Sequence, residues 1–108
     1  MPTPSQFDVL ENPSARARRD YPFLVIVQSD QADTGRMRVV APLVRRDRGS
    51  GPLTGRLVPT AKIDGQEHAV LVPRITTIDT TPLGPTVATI ETCRDAILSA
   101  VDLLIFGV

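Results

Sequence analysis

The residue types that do chemistry are few in this chain, and their spacing assembles little. The only histidine, His68, follows Glu67 in a stretch that alternates polar and apolar residues. It is expected on a surface or sheet face with no catalytic task. A zinc site needs further His or Cys ligands, and the only cysteine is Cys93. Cys93 falls on an apolar stripe at helical spacing, where it is expected as a small core residue. Arg16, Arg18 and Arg19 form one basic group and Arg45, Arg46 and Arg48 another. Both lie in polar stretches that read as loops, and both are expected as solvated charges. Asp30 and Asp33 flank a turn, where Asp serves local backbone hydrogen bonds. The chain has no Gly-rich phosphate loop, no Ser-x-x-Lys and no Gly-x-Ser-x-Gly. No cofactor and no metal are expected.

The feature that stands out is the ending, Leu103-Leu104-Ile105-Phe106-Gly107-Val108. Chain ends are usually polar and frayed. An apolar stripe running to the last residue is expected either to dock on the core or to touch a partner.

The elements that must position these residues are legible in part. A chain of 108 residues with 42% apolar content fits one domain with one core, here taken as residues 1–108 with 1–5 as a flexible start. Aromatics are only 4%, so the core must be aliphatic. Basic and acidic residues number 12 each, which argues against a protein that lives by neutralising phosphates and leaves only a local basic patch as a route. A lone cysteine suits a reducing compartment. The start resembles no signal peptide, and no stretch approaches the roughly 18 apolar residues of a membrane span. A cytoplasmic protein with no membrane contact is expected.

Pro and Gly cut the first four-fifths into short pieces, as in a mostly-β domain. Phe7 to Leu10 reads as a strand and Glu11 to Asp20 as a hairpin loop. Phe23 to Val27 is continuously apolar and β-branched, so it reads as a central strand buried on both faces. Asp33-Thr34-Gly35 is a turn. Met37 to Leu43 reads as a strand closed by Pro42, and Val44 to Gly55 as a loop. Leu57 to Ile63 and Gln66 to Val72 flank Asp64-Gly65, which predicts a hairpin with a type I′ turn. Ile75 to Ile78 is a further strand and Thr80 to Pro85 a loop. From Thr89 the period changes. Ile90, Cys93, Ile97, Ala100, Val101, Leu104 and Ile105 recur at helical spacing, with Thr89 or Thr92 as cap and Gly107 as stop. The fold class is therefore mostly β with a C-terminal α-helix: five or six antiparallel strands in a small barrel-type sheet, with the helix packed on it.

In the same order along the chain, Gln6-Phe7-Asp8-Val9, Val27-Gln28-Ser29-Asp30, Asp33-Thr34, Arg36-Met37-Arg38-Val39-Val40, Pro42-Leu43, Ile63-Asp64-Gly65, Ala96-Ile97 to Ala100-Val101 and Phe106-Gly107-Val108 resemble the CcdB family. The match runs from Gln6 to Val108. CcdB is the toxin of a bacterial type II toxin–antitoxin pair. The resemblance implies an SH3-like barrel-type sheet shared with MazF and Kid, a homodimer, and poisoning of DNA gyrase without catalysis. The toxin enters the gyrase A subunit and traps the cleaved-DNA complex through its last three residues, typically Trp-Gly-Ile. Phe106, Gly107 and Val108 stand in those places. A cognate CcdA-like antitoxin wraps the toxin with a segment that folds on binding. Here that surface corresponds to Gln28, Ser29, Asp30, Asp102, Ile105 and Phe106. Contact with DNA is implied only indirectly, through the antitoxin complex. The Glu11 to Asp20 loop is longer than the family's. Two other readings stay open: a MazF/Kid-like endoribonuclease using Ser14 and the neighbouring arginines, and a degenerate homologue that binds antitoxin without poisoning gyrase.

Overall fold

A computed structural model describes residues 3–46 and 55–107. Arg48, most of the expected Val44 to Gly55 loop and Val108 lie outside the described residues. Among the described residues, seven strands form one antiparallel sheet: β1 (Asp8–Glu11), β2 (Phe23–Ile26), β3 (Met37–Arg45), β4 (Thr60–Ile63), β5 (Gln66–Val70), β6 (Thr76–Asp79) and β7 (Thr86–Thr89). Their order is β4-β5-β3-β2-β1-β7, with β6 also paired to β3, and the sheet curls into a half-barrel. One helix, α1 (Arg94–Phe106), follows.

β2 shows why a continuous apolar run makes a central strand. Val25 and Val27 face the cluster that contains Ile97 and Ala100 of α1. Leu24 and Ile26 face the opposite cluster, with Leu10, Val40 and Leu83. Both faces are dry, so no polar alternation is tolerated.

β3 runs on to Arg45, past the Pro42 expected to close it. Its first half pairs with β6 and its last three residues with β5. The Pro42 carbonyl accepts the Leu71 N–H at 2.9 Å. The Leu71 carbonyl opposite, which a non-proline residue at position 42 would bond, instead accepts the Arg74 N–H at 2.9 Å. No acceptor is left unsatisfied, so Pro is tolerated inside the strand.

The β4–β5 hairpin forms as its sequence predicts. Ile63 opposes Gln66, and Asp64 and Gly65 sit at φ 53° and 77°, both positive as a type I′ turn requires. The hairpin loop between β1 and β2 also forms, with Glu11 opposite Phe23. Asn12, buried at its base, donates to the Tyr21 carbonyl at 2.9 Å and accepts the Ser14 N–H at 3.0 Å.

The strand count was low by β7. Thr86–Thr89 pairs with β1 across a bulge between Val9 and Leu10. Because β7 occupies these residues, the helix begins later than Thr89. A 3-10 turn over Glu91–Cys93 leads into it, and neither Thr89 nor Thr92 caps it through a side chain. The Ile90 N–H is instead taken by the Phe7 carbonyl at 3.0 Å. On the far side of the sheet, hydrogen bonds from the Thr81 hydroxyl and N–H, aided by Arg36, hold the Asp79 carboxyl below the usual carboxylate range.

Ile97→Ala is expected to cost about 2–5 kcal/mol, since Ile97 is fully buried between helix and sheet. The urea midpoint should fall at unchanged slope. Gly65→Ala should cost about 1–2 kcal/mol from the left-handed backbone alone, because a Cβ there meets nothing within 4 Å.

Candidate functional site at the helix end

The stripe on α1 divides into an anchored half and a free half. Ile97 and Ala100 are fully buried, while Leu98, Val101 and Cys93 pack half-buried against the same cluster. Cys93 thus lies at the core's margin, its Sγ 3.7 Å from the Thr60 carbonyl. Beyond Val101 the cover thins. Leu103 is still half-buried, but Leu104, Ile105 and Phe106 are 37%, 56% and 73% exposed. The last residues of the helix are therefore not buried in the core.

Gly107 ends the helix. At φ 76° and ψ 21° it is left-handed, and its N–H reaches the carbonyls of Asp102 (3.2 Å) and Leu103 (3.0 Å). That geometry satisfies helix-end carbonyls and favours Gly for its backbone rather than for space. The last turn carries no basic residue. The negative end of the helix dipole and the exposed Asp102 therefore sit beside an uncovered apolar tip. Adjacent large apolar side chains left in water mark an interaction surface.

The Gln28, Ser29 and Asp30 group forms the turn after β2. Gln28 is committed there: its Nε2 donates to Thr34 Oγ1 at 2.7 Å and to the Ala32 carbonyl at 3.3 Å, and its Oε1 accepts the Val39 N–H at 2.9 Å. Ser29 Oγ accepts the Gln31 N–H, and Asp30 Oδ1 accepts the Gln6 N–H at 2.9 Å. Among the described residues, no hydrogen bond or ion pair links this turn to Asp102, Ile105 or Phe106.

A family comparison fits this arrangement. The model of the CcdB protein family matches residues 6–107. The chain belongs to the CcdB family. It is accordingly a toxin of a toxin–antitoxin pair, with an antitoxin as partner. A comparison with curated proteins finds no match. In this CcdB-family chain the matched span ends at Gly107, on the exposed helix end itself.

The residues with catalytic types are otherwise engaged. Ser14 Oγ accepts the Ala17 N–H at 3.2 Å, and Arg18 is turned onto Glu11 (3.2 Å) and the Asn12 carbonyl (2.9 Å). Arg46 bonds Thr60 Oγ1, whereas Arg45, Arg16 and Arg19 are exposed. His68 is a correction. It is buried, edge-on to the Phe23 ring at 5.5 Å, with Nδ1 2.9 Å from the Gln66 carbonyl and Nε2 unpartnered. The two-residue spacing to Val70 carried that signal, since it puts His68 on the core face. Among the described residues no group of three or more His, Cys, Asp or Glu converges as for a metal. Nor is any helix long and apolar enough to cross a membrane.

Phe106→Ala is expected to change unfolding free energy by less than about 0.5 kcal/mol, as an exposed substitution away from packing does. Side by side with Ile97→Ala in the same denaturant series, it separates the surface half of the stripe from the core half.

Proposed function

We propose that this toxin poisons DNA gyrase by binding rather than by catalysis. The Phe106-Gly107-Val108 end engages the gyrase A subunit and holds the enzyme in its cleaved-DNA complex. The observation that carries this reading is the helix tip, where Phe106 is 73% exposed directly before a left-handed Gly107. A side chain there projects ahead of the domain. The following glycine lets a partner's backbone approach. Phe offers a smaller ring than Trp and no N–H donor. The target surface must therefore be met by ring packing alone, at a loss of about 1–3 kcal/mol relative to an indole anchor.

The same tip supports two further assignments. A homodimer formed partly through the helix end would cover Leu104 and Ile105. The antitoxin would bridge the Gln28, Ser29 and Asp30 turn to Asp102, Ile105 and Phe106. Phe106 then belongs to both surfaces, so antitoxin and gyrase exclude one another. A segment that folds on binding would show a large negative heat-capacity change.

Deleting Gly107 and Val108, or Phe106→Ala, should abolish cleavage-complex formation with purified gyrase and toxicity in cells, with the fold kept. Phe106→Trp with Val108→Ile should strengthen inhibition about ten- to a hundredfold. Cleaved DNA still trapped by the truncated protein would overturn the site. RNA cleavage by the intact protein would overturn the mechanism. In sedimentation, a monomer at micromolar concentration would exclude the dimer.

A further inference from the structure

We draw no further inference here: the strongest candidate, the cavity beside the β4–β5 hairpin lined by Phe23, Arg45, Ile63, Asp64, Gln66 and His68, carries nothing, because no contact in the structure shows the unpartnered Nε2 of buried His68 facing into it, and a lining that offers both a guanidinium and a carboxylate selects no class of ligand.

Discussion

A phenylalanine held in a left-handed backbone fixes how the sheet meets the helix. Phe7 sits at φ 71° immediately before β1. A bulky residue there costs about 1–3 kcal/mol and persists only where its surroundings over-determine it. Its N–H is bound by the Ile26 carbonyl at 2.7 Å, its carbonyl by the Ile90 N–H at 3.0 Å, and its ring is buried with the Arg94 guanidinium 5.7 Å above it. Those contacts come from the end of β2, the exit of β7 and the first residue of α1. The strain is met by burial of a whole aromatic side chain and two ladder-type hydrogen bonds. In return the helix start is pinned to the sheet.

Pinning the start decides what happens at the other end. Thirteen helical residues leave a fixed point, and the 3-10 turns at Gly55–Leu57 and Val72–Arg74 pack against them. Ile97 and Ala100 are fully buried, whereas exposure rises along Leu104, Ile105 and Phe106. Burial is thus confined to the earlier turns of one helix, and the surface proposed above for recognition lies on the last. Side chains at such an exposed tip can change without endangering the fold.

The polar residues show the same economy. Gln28 could be read as an exposed recognition residue, yet its amide is the clasp of the turn after β2. Its substitution would disturb the turn and any partner contact together, whereas Ser29 and Asp30 remain exposed. Arg18 likewise closes its own loop while Arg16 and Arg19 stay open to solvent.

What the sequence determined by itself were the features set by neighbours in the chain. The run Phe23 to Val27 had to be dry on both faces, Asp64-Gly65 had to turn with positive φ, and the three- and four-residue spacing after Ile90 had to be a helix stopped by Gly107. The ordered set of residues from Gln6 onward carried the family. Tertiary structure alone decided the rest, because it turned on partners distant in sequence. β7 is four unremarkable residues, Thr86-Val87-Ala88-Thr89, and becomes a strand only because β1 offers an open edge. Pro42 stays inside β3 because the carbonyl opposite it, that of Leu71, is taken by the Arg74 N–H. His68 is buried because Phe23, from another strand, covers it. The apolar stripe on α1 reads as one continuous face in the sequence. Only the length of the sheet beneath it, set by the pinned helix start, divides it into core at Ile97 and exposed tip at Phe106.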